Sequence, residues 1–109
     1  MIIGVAGPYS APTEKQRQAN LEALNTAAAR VLEKGHIPLV GVNAALPIIE
    51  YTEIDNDHEL IMSISIAMMQ SCDGLLLIGD GLGVQREKEL FISKGLPVFY
   101  AVNELPDYE

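Results

Sequence analysis

The residues most able to do chemistry lie in the stretch DGLLLIGDGLGVQREKEL, from Asp73 to Leu90. A short apolar run stops at Gly79, glycines alternate at 79, 81 and 83, and a charged helical segment follows. Glycines let backbone amides approach an anion, and the helix N-terminus behind them adds positive potential. The spacing G-x-G-x-G is neither a Walker loop nor the dinucleotide fingerprint, because no Gly-Lys-Ser/Thr follows and the loop trails a late strand. A flexible strand-to-helix turn accounts for it equally well. Glu87 says more. Val84, Glu87, Leu90 and Phe91 fall at i, i+3, i+6 and i+7 and share a helix face, while Arg86, Glu89 and Ser93 share the opposite one. Leu90 and Phe91 must face a sheet, so Glu87 turns inward near the helix start. An inward carboxylate at the mouth of a crevice is a candidate nucleophile or base; the competing reading is a glutamate stabilising the helix dipole.

The elements that must position these groups are legible in order. MIIGVAG reads as a buried strand ending at Gly-Pro. Thr13 to Lys34 reads as a helix with a Thr13/Gln16 capping box, an apolar face of Leu21, Leu24, Ala28, Val31 and Leu32, and Gly35 as its stop. HIPLVGV, from His36, reads as a second strand. Residues 43–55 read as a loop carrying Pro47, with a short helical turn or a lid at Ala44–Ile49. Asn56 and Glu59 make a second capping box and open a helix over about 57–71. That helix carries Leu60, Ile64, Ala67 and Met68 on one face and Ile61, Met62, Ile66 and Met69 on another. Apolar on both sides, it is expected to pair two subunits as a homodimer. Leu75–Ile78 reads as a third strand, Val84–Lys94 as a helix stopped by Gly95, and LPVFYAV as a fourth strand. The acidic tail from Asn103 is expected to dock loosely.

Strands that alternate with helices and are apolar throughout predict an α/β domain, a flavodoxin-like or Rossmann-like doubly wound parallel sheet, as a single domain over 1–109. Ligands of such sheets bind beyond the carboxyl ends of the strands, at a switch point. The two loops there best able to hold one are GPYSAP and GDGLG. Tyr9 and Ser10 are candidates for the crevice wall, with ordinary turn polarity as the plainer alternative. His36, directly after a helix-stopping glycine, reads as structural. The DNDHE segment around His58 reads as helix capping, not as a metal site, because its side chains point in different directions. Met62, Met68 and Met69 read as core or interface.

Composition narrows the partners. The chain has 109 residues, 49% apolar and 20% charged, with a net charge of −8 and one cysteine, Cys72. That is a globular balance, sufficient for a core. The acidity and the lack of a Lys/Arg cluster argue against nucleic-acid polymers. A lone cysteine excludes an intramolecular disulfide and fits a reducing, cytoplasmic setting. No basic leader opens the chain, and no apolar run approaches the ~18 residues of a membrane helix. No cofactor or metal is expected.

The opening IIGVAGPYS resembles the start of nucleoside 2-deoxyribosyltransferases, in which a first strand ends in Ala-Gly-Pro plus an aromatic residue. CDGLLLIGDGLGVQREKELFISKGLPVFY is similar to that family's second signature, in which an Asp opens the strand, a Ser-x-Gly loop follows, then a helix glutamate and a Gly-x-Pro-Val strand. The family includes 2'-deoxynucleoside 5'-monophosphate N-glycosidases. The resemblance runs in order over most of the chain. It implies that Glu87 is the nucleophile, attacking the anomeric carbon of a deoxyribosyl group and expelling the base through a covalent sugar–enzyme intermediate. It implies that Gly7, Pro8, Tyr9 and Ser10 shape one wall of the substrate site and Asp80, Gly81 and Gly83 the other, with the loop and helix amides holding a 5'-phosphate or hydroxyl. Gly4, Ser65 and Gly81 stand where the family carries a Tyr, an Asp and a Ser. Asp80 or Asp57 is then the candidate replacement acid. Two further readings follow: a non-catalytic nucleotide or nucleotide-sugar binding protein on the same fold, and an unrelated interaction domain, the last favoured if Glu87 faces solvent.

Overall fold

A computed structural model describes residues 1–79 and 82–107, with Leu82 and Gly83 placed by their backbone alone. Four strands, β1 (Ile2–Ala6), β2 (Ile37–Leu39), β3 (Gly74–Leu77) and β4 (Val98–Phe99), form one sheet in the order β2-β1-β3-β4. All three pairings are parallel, with Ile3 beside Gly74 and Leu75 beside Val98. Helix α1 (Glu14–Glu33) links β1 to β2, α2 (Gly41–Ile49) and α3 (Asp57–Met69) link β2 to β3, and α4 (Leu82–Ser93) links β3 to β4. The chain winds from β1 outward to β2, then crosses β1 to reach β3 and β4. The fold is therefore the expected doubly wound α/β sheet, with its switch point between β1 and β3.

The strand period of two sorts the core. Ile3, Val5 and Leu76 pack with Leu24 and Val31 of α1. Ala6, Leu75 and Leu77 point the other way, onto Met69, Val84 and Phe91. Both capping residues act as read. Thr13 Oγ1 accepts from the Gln16 N–H at 3.2 Å, and Asn56 Oδ1 accepts from the Glu59 N–H at 3.4 Å. Gly35 and Gly95, with φ of 92° and 70°, take the left-handed turn that ends α1 and α4. Asp73 lies at the amino end of the strands. Its carboxylate accepts from the Ile2 N–H at 2.8 Å, so it aligns β3 on β1 and stands apart from the crevice.

Three expectations need correction. The segment read as a loop is a nine-residue helix, α2, with Pro47 inside it. Proline removes a backbone donor and costs about 3 kcal/mol in a helix interior. Burial offsets that cost. Val42, Ala45, Leu46 and Ile49 recur at i, i+3, i+4 and i+7 and pack into the core with Ile61 and Ile64 of α3. It follows that α2 covers part of the apolar surface of α3 that the sequence pattern assigned to a second subunit. The two edge strands are also shorter than read, β2 at Ile37–Leu39 and β4 at Val98–Phe99.

The third correction concerns the tail, which docks firmly through Pro106. Leu105 is 2% exposed and joins the core. Lys34 Nζ donates to the Leu105 carbonyl at 2.7 Å and the Val102 carbonyl at 3.3 Å. His36, buried as a structural residue, bonds the Met1 amino group through Nδ1 at 3.1 Å and the Pro106 carbonyl through Nε2. Glu104 accepts from the Tyr100 N–H at 2.8 Å and Asp107 lies 3.6 Å from Lys34, so acidic side chains join the backbone and Leu105 in holding the segment. Leu105→Ala should therefore destabilise the protein by about 2–4 kcal/mol, read as a lower urea midpoint at unchanged slope. A loss below about 0.5 kcal/mol would mean the tail is loose after all.

Candidate functional site

At the carboxyl ends of β1 and β3 the helices leave a cleft of about 240 Å³. Gly7, Pro8, Tyr9 and Ser10 supply one wall from the loop after β1, and α4 supplies Val84 and Glu87. Val42 of α2 and His58, Ile61, Met62 and Ser65 of α3 complete it. The lining is largely apolar with a few convergent polar groups, the usual make-up of a small-molecule site.

Glu87 turns inward as the face pattern requires. Val84, Glu87 and Phe91 are buried, Leu90 is half-buried, and Arg86, Glu89 and Ser93 are exposed. The Glu87 residue is 6% exposed, and its Oε2 has no hydrogen-bond partner among the described residues. A buried carboxylate without a cation beside it loses hydration that nothing replaces, so its neutral form is favoured. Desolvation pushes the Glu87 carboxyl from its ordinary 4.5 up to about 7, and the Ser65 hydroxyl beside it works in the opposite direction. Ser65→Ala should move the Glu87 titration further toward alkaline pH, observable as a shifted carboxyl resonance in an NMR titration. An unchanged or more acidic titration would show that Ser65 does not assist the anion.

Of the residues singled out from the sequence, Gly7, Pro8, Tyr9, Ser10 and Glu87 come together here. Asp80 and Gly81 lie outside the described residues, and Gly83 falls in the first turn of α4 without a described surrounding. Asp57, one candidate acid, does not line this cleft; it borders the adjoining grooves with Tyr9, Leu46 and Ile49. Gly4 faces away from the crevice: a Cβ there would lie 2.1 Å from Met69 Sδ and 3.4 Å from Cys72 Sγ, in the core.

Two site residues escaped the sequence reading of the crevice. Ser65 entered only as a position lacking an Asp, yet it is buried against Glu87. His58 entered only as part of a cap, yet it lines the cleft and its Nδ1 lies 3.2 Å from Ser10 Oγ. The signal was available. Positions 58, 61, 62 and 65 fall at i, i+3, i+4 and i+7, so one stripe of α3 carries both residues into one cleft. Among the described residues no three His, Cys, Asp or Glu side chains gather as metal ligands would.

A family model described as a domain of unknown function, DUF1937, matches residues 1–103. The chain belongs to the DUF1937 family. That match spans every strand and α-helix, so the cleft of this DUF1937 domain is built wholly from matched residues. No curated protein matches the chain. No helix of this DUF1937 domain is long and apolar enough, among the described residues, to cross a membrane.

Proposed function

We propose that this protein cleaves the N-glycosidic bond of a deoxynucleoside or deoxynucleoside 5'-monophosphate, passing the sugar to water or to a second base. One observation carries the reading: Glu87 is a buried carboxylate with an unpartnered Oε2, set in a cleft at the sheet's switch point. Such a group is costly to keep unless a ligand uses it. In this reading the Glu87 anion attacks the anomeric carbon as the bond to the base breaks, giving a glycosyl ester that water or another base then opens. Apolar walls from Val42, Ile61, Met62 and Val84 suit the flat face of a base, and Gly7, Pro8 and Tyr9 suit the sugar. The likeness of IIGVAGPYS and of the Glu87 segment to deoxyribosyltransferases supports the same assignment. We place the activity in the cytoplasm, as the lone buried thiol of Cys72 suits, and in a homodimer joined through the helix around 57–71.

The test is incubation with deoxynucleosides and their 5'-monophosphates, following free base by chromatography. Base release by the wild type and its loss in Glu87→Ala are expected. No release, or undiminished release by the variant, would remove the assignment.

One observation favours a second reading, a binding protein without turnover. Among the described residues lining the cleft, Glu87 is the sole carboxylate. A nucleotide that raises the melting temperature with no base released would decide for it.

A further inference from the structure

His58 occupies an unusual place. It sits in the first turn of α3, 48 residues along the chain from the Ser10 hydroxyl that meets its Nδ1. This contact bridges the two walls of the cleft, the loop after β1 and α3. With Nδ1 engaged, Nε2 has no partner among the described residues and is the ring atom left for a ligand. The ring borders both the Glu87 cleft and the adjoining groove that runs over Tyr9 toward Arg17. Of its acidic neighbours, Glu59 is 3.5 Å from Arg86, and Asp57 shares the adjoining groove with His58 but does not line the Glu87 cleft. Among the described residues, the titratable side chains lining the cleft apart from Glu87 are His58 and Tyr9.

We propose that His58 is the second catalytic residue of this cleft, protonating the departing base from Nε2, and that Ser10 is the positioning residue that aims it. The proposal deepens the glycosidic reading above and rests on it. Glu87 bonds to the anomeric carbon as the carbon–nitrogen bond breaks, and that bond's electron pair moves onto the base. The base takes a proton from the imidazolium, whose Nδ1–H donates to Ser10 Oγ. In the second half, neutral His58 accepts a proton from the attacking water, oxygen bonds to the anomeric carbon, and Glu87 leaves as carboxylate. Both residues return to their starting forms, and the net change is hydrolysis. A base is a poor leaving group as an anion, so this step needs an acid, and acid catalysis of this kind is worth about 10²–10⁴-fold.

A change of leaving group separates this role from a structural one. The substrates are a deoxynucleoside and 4-nitrophenyl 2-deoxyribofuranoside, whose nitrophenolate departs without a proton. In His58→Ala, kcat/KM for the deoxynucleoside should fall about 10²-fold or more, and for the nitrophenyl substrate by less than about threefold. Ser10→Ala should lower the deoxynucleoside rate alone, by a smaller factor. Circular dichroism melting verifies that each variant is folded. Equal losses on both substrates, or none on either, with Glu87→Ala still inactive, would overturn the role of His58 and leave the nucleophile assignment standing. A folded wild type that releases neither base nor nitrophenolate would overturn both.

Discussion

Glu87→Gln should stabilise the protein at pH 8 by on the order of 3 kcal/mol while lowering base release by at least about 10³-fold. The sign follows from the direction of the shift. In the folded protein the carboxyl titrates near 7 rather than 4.5. Below about pH 4.5 both folded and unfolded chains hold the proton and the group costs nothing. As pH rises toward 7 the unfolded chain releases its proton first, so stability falls across that window, and above 7 the deficit is constant. Glutamine keeps the shape and has no proton to lose. Its advantage should therefore be near zero at pH 4 and largest above pH 7, on the order of 10 °C in melting temperature for a domain of this size. A margin that does not change with pH would mean that Glu87 is not desolvated in the unliganded protein. The activity half has its own signature. In the proposed mechanism the nucleophile is the anion, so wild-type kcat/KM toward the nitrophenyl deoxyriboside should rise with pH and level off above about 7. A fall through the same range would recast Glu87 as a proton donor.

Gly41→Ala is expected to be the most damaging single methyl in the molecule's site region. A Cβ at position 41 would stand 2.2 Å from Ser65 Oγ and 2.6 Å from Ser65 Cα. The second of these atoms is backbone, so no rotamer change relieves the clash, and α2 must move off α3. We expect a loss of about 2–3 kcal/mol in stability. Because α3 carries both His58 and Ser65, a displacement approaching 1 Å should also cost up to about 10²-fold in kcat/KM. Adding Ser65→Gly removes the clash with the hydroxyl and leaves the one with the α3 backbone, so the double variant should recover part of the stability only. Full stability in Gly41→Ala would show that the packing of α2 on α3 is softer than its geometry implies.

Much of the architecture could be read from local rules. The 3.6-residue repeat of Val84, Glu87 and Phe91 turned the carboxylate inward, and burial of Glu87 removes the condition that favoured an unrelated interaction domain. Thr13 and Asn56 marked helix starts, and Gly35 and Gly95 marked helix ends, because capping and positive φ are local requirements. The segment 41–49 shows where local reading broke down. Its i, i+3, i+4, i+7 pattern was present, but Pro47 spoke against a helix, and only burial against α3 outweighs that penalty. The tail after Asn103 failed similarly. Its acidity is local, whereas Lys34 and His36 meet the Leu105 and Pro106 carbonyls through hydrogen bonds that span about 70 residues of chain.

The sequence by itself therefore determined the doubly wound sheet, the strand ends at which a cleft must lie, and the face on which Glu87 sits. These depend on periodicity and capping, whose physics spans a few residues. Tertiary structure alone decided what surrounds that carboxylate: Ser65 beside it, no lysine or arginine among the described residues of its cleft, and His58 held across the cleft by Ser10. Desolvation and hydrogen-bond geometry depend on groups distant in the chain and adjacent in space. No window of sequence around Glu87 contains them.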